Sequence, residues 1–376
     1  VKALLEQNRA RTGEMAALLL ELVEIESPST DAAGVLALAR RLAPELEALG
    51  LRVELLPVPN AGPVLRARSA AAGRPIMLLG HLDTVWPKGT LGARPARVEG
   101  DRLHGPGCYD MKAGLVVVTF ALRALAERGP LPPVCVFFTP LEEVGCEPYR
   151  KTMEDEMRAC AAVLDFEPAW PGGAVKTGRK GSGSFVLRAR GRAAHAGADF
   201  TRGANAILEL ARQVVAVSGL TDLARGVTLN VGVVRGGIRP NVVPDLAEAE
   251  IDLRYLSLED GRRSEAALRA LKPAIPGVTL ELEGGLGYPP LERGPHVLRV
   301  YETARHVAQE LGFPLEEVTT GGASEASFAS ALGVPTLDGL GADGDGAHAE
   351  DEHVLIPSLP ERAALAAGLV ERLASA

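Results

Sequence analysis

The sequence lacks the features that mark several common protein classes. Its 376 residues carry 40 Lys and Arg against 48 Asp and Glu, a formal charge of −8. The basic surplus that neutralises phosphates is missing, which argues against nucleic acid as a partner and favours small or cationic partners and metal ions. The longest apolar stretches, such as 16–20 and 115–122, fall far short of the roughly 18 residues of a membrane span, so none is expected. Cysteine is scarce. Cys108, Cys135, Cys146 and Cys160 form no CxxC pair, and in a chain of this size they read as buried thiols of a reducing compartment, not as a disulfide framework. A cytoplasmic setting is the default expectation; the chain begins Val1-Lys2, and a secreted or periplasmic setting stays open for a chain trimmed of a leader. No GxSxG, phosphate-loop or Rossmann glycine pattern stands out, and the Gly181-Ser-Gly183 turn lacks the context of a serine nucleophile.

What remains is an ordinary globular composition, 47% hydrophobic and 23% charged, with 42 Gly and 27 Pro. Both exceed their usual shares of about 7% and 5%, which points to many loops between short elements. The length suggests two domains, or one large domain with an insertion.

Helical spacing runs through 14–25 and 33–49, and 51–58 alternates like a strand. Four short apolar runs follow: 75–80 (PIMLLG), 134–139 (VCVFFT), 161–166 (AAVLDF) and 334–340 (VPTLDGL). Such runs suit strands buried on both faces of a largely parallel sheet, and helical stretches at 112–128 and 292–311 lie between them. Each run is followed by ionisable groups: His81 and Asp83, Glu142 and Glu143, Glu167, and His348. In open α/β sheets, sites form at the carboxyl ends of strands, so these groups are expected to converge on one edge. The middle of the chain reads strand (183–191), helix (203–218), strand (227–234), strand (246–255), helix (259–272), strand (278–283). That is the ferredoxin-like split pattern, a unit of about 110 residues that fits an inserted second domain. Gly172-Gly173 before it, and the stretch from Gly284-Gly285 to Pro290 after it, are the expected hinges.

Several side chains invite chemistry. On an extended segment His81 and Asp83 point to the same side, so the carboxylate can orient an imidazole that binds a metal. Asp110, in the turn-rich GPGCYDMKAG at 105–114, is either a helix N-cap or a carboxylate able to bridge two cations. The adjacent Glu142 and Glu143 can divide labour, one binding a metal and the other serving as general base for a water molecule. With Glu167 and His348 they make a set of two His and three carboxylate ligands plus a base, which suits zinc, with cobalt or manganese as substitutes. Arg254, on an alternating strand, either faces solvent or clamps a carboxylate through a bidentate pair. The segment from Gly321 to Glu325 is either a ligand-approaching turn or a plain loop. His104, His296, His306 and His353 have no partners at recognisable spacing.

HLDTV at 81–85, GPGCYDMKAG at 105–114, LEEVG at 141–145, FEP at 166–168, GRAAHAG at 191–197, NVVP at 241–244 and GAHAEDE at 346–352, in this order and spacing, resemble the dinuclear zinc peptidase family of carboxypeptidase G, aminoacylase-1, acetylornithine deacetylase and succinyl-diaminopimelate desuccinylase. The resemblance covers nearly the whole chain. It implies a zinc-peptidase α/β domain formed by 1–176 and 292–376, with an α+β lid and dimerisation domain at 177–291. It also implies that His81, Asp110 and Glu167 hold one zinc ion and that Asp110, Glu143 and His348 hold the other. Asp83 would orient His81, Glu142 would be the base, and His195 would stabilise the oxyanion in the partner subunit's site of a homodimer. Asn241 and Arg254 would contact the substrate. Two features separate the branches: Ser324-Glu325 stands where the family often has Ser-Asp or Thr-Asp, and the Arg179 turn is similar to the desuccinylase branch, whereas VPTLDGLG and GDGAHAEDE look like the glutamate carboxypeptidase branch. The expected activity is release of C-terminal glutamate from small peptides or N-acyl amino acids. An N-acyl amino-acid deacylase or desuccinylase, and a catalytically silent binding relative, are the alternatives.

Overall fold

Uninterrupted apolar strands are stable only where both faces of the sheet are covered, and the four runs occupy such a place. In the computed structural model, which describes residues 2–375, the strands Ile76–His81, Val134–Thr139, Ala162–Asp165 and Thr336–Leu337 are buried along their length and pair in parallel. Across the sheet the order is Arg52–Leu56, Val64–Arg68, Val134–Thr139, Ile76–His81, Ala162–Asp165, Thr336–Leu337, with the first two strands antiparallel. The central sheet is therefore mixed but largely parallel, as the apolar runs predict. His81 lies opposite Thr139, and Leu79 opposite Asp165. The strands thus finish nearly level, and the loops that follow them begin at one edge.

The chain divides into two compact units, each with its own apolar core. The first comprises Val1–Thr177, Arg293–Thr319 and Ser324–Ala376. Its helix Ala113–Ala126 is buried almost all round, and the helix Ser358–Ala374 is buried from Leu359 to Val370 except at Glu361. Helices entirely wrapped in apolar neighbours carry little amphipathic signal. A small antiparallel sheet of Gly344–Asp345, His353–Leu355, Arg102–His104 and Arg97–Glu99 adds to this unit. The helix Arg150–Ala159 was not expected from the sequence: it is mostly polar, anchored by Met153 and Met157, and carries Arg150–Glu154 and Lys151–Asp155 ion pairs one turn apart.

The second unit is Gly178–Glu292 with Thr320–Ala323. Along the chain it runs strand Gly181–Arg190, helix Ala206–Ser218, strand Thr228–Gly236, strand Leu246–Tyr255, helix Leu258–Arg269, strand Thr279–Leu286. The four strands form an antiparallel sheet in the order Thr228–Gly236, Leu246–Tyr255, Gly181–Arg190, Thr279–Leu286, the split pattern of a ferredoxin-like unit. Asn205 and Ser257 cap the two helices through their side chains.

Two expectations are corrected here. Thr320–Ala323 falls in the second unit because Arg179 donates to the carbonyls of Gly322 and Ala323 and the Lys180 N–H donates to Thr320 O. Neither glycine pair lies at the boundaries between the units, which fall at Thr177/Gly178 and Glu292/Arg293. Gly172 and Gly173, both at positive φ, close a tight turn bridged by Trp170 and Ala174, while Gly284 and Gly285 lie inside a strand, where a side chain on Gly284 would meet Ser184 O at 2.1 Å.

Candidate active site

Seven ionisable side chains of the first unit, His81, Asp83, Asp110, Glu142, Glu143, Glu167 and His348, gather at the carboxyl edge of the parallel sheet. His81 ends its strand and is 2% exposed. Its Nδ1 lies 2.9 Å from the Asp83 carbonyl and 3.5 Å from the Asp83 carboxylate. A carbonyl only accepts, so Nδ1 donates and Nε2 is left to bind a cation. Nε2 faces Asp110 Oδ1 at 3.2 Å and Glu167 Oε1 at 3.3 Å. The Asp83 carboxylate accepts the Ser29 hydroxyl (2.6 Å) and the backbone N–H groups of Glu142 (3.0 Å) and Glu143 (3.2 Å). Asp83 therefore ties the His81 segment to the glutamate loop, and its backbone carbonyl makes the closer contact to the imidazole.

Asp110 sits in a tight turn, Cys108–Lys112, at φ −112° and ψ 95°, and its peptide bond to Met111 is cis. The following helix starts at Ala113 with Lys112 in the cap position, so Asp110 is not its N-cap. Its second oxygen, Oδ2, lies 3.3 Å from His348 Nε2. His348 Nε2 also faces Glu143 Oε2 at 3.2 Å. His348 stands on a loop in the left-handed region, φ +62°, a conformation uncommon for residues other than glycine. The two oxygens of Asp110 thus serve two separate imidazoles. Glu142 joins the first group: its carboxylate, with His81 and Glu167, offers ligand atoms within 4.8 Å of one another, as do His81, Asp110 and Glu143.

The electrostatics follow from this crowding. Burial pulls the His81 imidazole down, but Asp110, Asp83 and Glu167 outweigh it and hold the pKa well above the ordinary value. Hydrogen bonds to Asp110 and Glu143 push His348 up to about 10. Burial pushes Asp110 up, yet His348 and His81 overcome it and keep the carboxylate well below its usual range. Glu142 goes the other way: burial, with the charges of Glu167 and Glu143, lifts it well above its ordinary value. Carboxylates outnumber the two imidazoles, and the buried Glu143 Oε1 has no hydrogen-bond partner. A donor set of imidazoles and carboxylates with surplus negative charge and an orphaned buried oxygen fits divalent cations, zinc among them.

The second unit holds the other residues singled out above. His195 is exposed, and its Nδ1 accepts the N–H groups of Gly197 (3.1 Å) and Ala198 (3.0 Å). Nε2 is therefore the protonated, donating nitrogen of the neutral ring. Asn241 lies beside it: the Ala196 N–H donates to Asn241 O, and His195 pairs with Val242. Arg254 is half-buried and grips Asp252 through Nε and Nη2 at about 3.0 Å, so it is not simply solvated. Arg179 is buried on the Gly322 and Ala323 carbonyls. In the first unit, Glu325 is buried and accepts the hydroxyls of Thr139 (2.8 Å) and Tyr149 (2.6 Å), the two ends of the loop carrying Glu142 and Glu143. Glu325, raised above as part of a ligand-approaching turn, instead acts on the loop behind the glutamates. Ser29 and Glu352 were missed as site residues: each contacts the site from a distant stretch of chain, although Glu352 lies inside the GAHAEDE run.

These features define an α/β protein with a candidate metal-binding site at the carboxyl edge of its sheet. Residues 77–372 match Peptidase family M20/M25/M40, and the chain belongs to that family of hydrolytic enzymes. It is 31% identical over 378 residues to carboxypeptidase G2 of Pseudomonas sp. (strain RS-16), covering 96% of this chain and 90% of that protein. It is 29% identical over 367 residues to a putative succinyl-diaminopimelate desuccinylase DapE of Mycobacterium tuberculosis, covering 92% and 95%. Among solved structures, aminopeptidase PepT of Bacillus cereus superposes with a TM-score of 0.77 at 21% identity, covering 96% of this chain and 99% of that one, a likeness of fold. Among the described residues no helix is long and apolar enough to cross a membrane.

Proposed function

We propose that the chain is a two-zinc amidohydrolase, with cobalt or manganese as possible substitutes, that releases C-terminal glutamate from small peptides or N-acyl amino acids. The observation that carries this reading is the single Asp110 carboxylate set between two imidazoles, His81 and His348, with a buried acid, Glu142, beside the first. His81, Asp110 and Glu167 would hold one ion, and Asp110, Glu143 and His348 the other. When bound, the ions would polarise the scissile carbonyl and make water easier to deprotonate.

Glu142 takes the proton from the attacking water as the oxygen adds to the carbonyl carbon. The C–N bond then breaks, and the same carboxyl returns the proton to the leaving amine. Burial raises its pKa above the ordinary carboxylate value, which makes it a stronger proton acceptor. Asp83 holds the backbone of Glu142 and Glu143 in place. The protonated Nε2 of His195 is a suitable donor to the developing oxyanion, and Arg254 and Asn241 bind the substrate, Arg254 through its carboxylate.

Exposed Val233, Val234 and Ile238, on or just after an unpaired sheet edge and near exposed Ile207, favour a homodimer through this unit. Mixing His195→Ala with Glu142→Ala subunits should restore part of the activity; heterodimers without activity would remove His195 from the partner's site.

The substrate rests on the likeness to carboxypeptidase G2. The burial of Arg179 on backbone carbonyls supports the carboxypeptidase reading over a desuccinylase that would use this arginine for an acyl group. Steady-state assays of zinc-loaded protein on glutamyl peptides and N-acyl-glutamates, against acetylornithine and succinyl-diaminopimelate, test the choice. Higher kcat/KM on the glutamate substrates is expected, and inactivity on all of them would sink it. Every proposed catalytic position holds a competent residue, which argues against a silent relative.

A further inference from the structure

Glu352 takes no part in the chemistry above, yet its carboxylate is 2% exposed and accepts four hydrogen bonds. One oxygen receives the backbone N–H groups of Tyr109 (2.9 Å) and Asp110 (3.0 Å), and the other receives those of Gly107 (2.8 Å) and the Trp86 indole (2.7 Å). Three of these donors belong to the turn that presents Asp110. The fourth is itself held, because the Arg94 guanidinium stacks 3.8 Å from the Trp86 ring centroid and donates to the Ala349 carbonyl at 3.4 Å. Ala349 follows His348, and the Glu352 N–H returns to the Ala349 carbonyl at 3.2 Å. A closed circuit thus runs from the Asp110 turn through Glu352 to the loop of His348.

The two imidazoles do not depend on this circuit equally. His81 is placed by a strand in register with its neighbours, and Glu167 by backbone bonds between Phe166 and Leu79 and between Gly341 and Glu167. The His348 side chain is 52% exposed, on a loop in an unfavourable backbone region. A ligand on such a loop keeps its place only through the contacts that hold the loop.

We propose that Glu352 is a positioning residue that sets how tightly the Asp110, Glu143 and His348 side retains its metal ion, with less influence on the His81 side, which shares Asp110 but is otherwise placed by strand ends. The proposal rests on the two-metal reading above. Outer residues of this kind typically change metal affinity about 10- to 100-fold.

The test is an equilibrium zinc titration against a chromogenic chelator, with elemental analysis of bound equivalents, on unaltered protein, Glu352→Gln and Trp86→Phe. Glu352→Gln turns an NH2 group toward N–H donors that need an acceptor. The weaker equivalent should loosen about 10- to 100-fold, while the tighter one loosens clearly less. Trp86→Phe, which removes one of the four donors and keeps an aromatic ring, should shift the weaker equivalent in the same direction by less. Two unchanged equivalents in Glu352→Gln, or equal loosening of both, would overturn the proposal while leaving the two-metal reading intact. Fewer than two equivalents in the unaltered protein would overturn both. If Glu352→Gln does not fold, Trp86→Phe decides alone: selective loosening supports the brace, and unaltered binding removes it.

Discussion

The two halves of the candidate site share Asp110 but are built in opposite ways. The His81 half is made from strand ends: its imidazole is 2% exposed and its tautomer is set by the Asp83 carbonyl. Its second carboxylate, Glu167, follows a buried strand and has Lys176 4.0 Å away. The His348 half is made from loops: its imidazole is half-exposed, its backbone sits at φ +62°, and its carboxylate Glu143 keeps one buried oxygen without a hydrogen-bond partner. A sheet edge supplies position through its own register, whereas a loop must import position from side chains such as Glu352 and Asp83. One half of the site is therefore a consequence of the fold, and the other is an addition to it.

Glu142→Ala should leave both halves and both metal equivalents intact while lowering kcat about 10²- to 10⁴-fold; turnover near the unaltered rate with metal retained would separate Glu142 from the chemistry. Next in size, His81→Ala should destabilise the metal-free protein by about 3 kcal/mol, since it strands buried carboxylates, and thermal unfolding would show a much smaller loss for His348→Ala, whose side chain is half in water. Equal losses would erase the distinction between the halves.

The His348 pKa of about 10 in the metal-free protein gives a directional test of the loop half. A cation's pKa raised by folding stabilises fully below its ordinary value near 6.5 and loses that contribution as pH rises through 10. The melting-temperature gap between unaltered and His348→Ala metal-free protein should therefore narrow as pH climbs from 6.5 toward 10, and a gap independent of pH would show that the pairing adds nothing.

A further test concerns Glu325, which burial raises to about 7. A carboxyl raised in this way costs the folded state nothing below 4.5 and progressively more as pH rises through 7. Glu325→Gln, with no charge to bury, should gain on the unaltered protein by about 1–3 kcal/mol between pH 5 and 8. A constant difference across that range would place the charge in a better-solvated setting.

Much of the scaffold was legible because burial writes itself into composition. The four apolar runs read as parallel strands, and they are parallel strands. The alternation of 247–255 matches its burial pattern, with Ala247, Ala249, Ile251, Leu253 and Tyr255 buried. Features that depend on distant partners were not legible. The polar helix Arg150–Ala159 lacks a broad apolar face, and the Gly284-Gly285 pair looks like a hinge until Ser184 is placed beside it. Asp110 could be read as a cap because the residues of its turn suit a helix start; only the backbone shows that the helix begins after it.

By itself the sequence determined the largely parallel sheet, the family and the set of candidate ligands, because strand burial and short motifs are local properties carried by adjacent residues. The tertiary structure alone decided how those ligands are divided. Asp110 faces His81 with one oxygen and His348 with the other, although 29 residues separate it from the first and 238 from the second. It also decided that Glu352 braces one side, because hydrogen bonds between segments so far apart in sequence exist only once the chain has folded and excluded the water that would otherwise satisfy them.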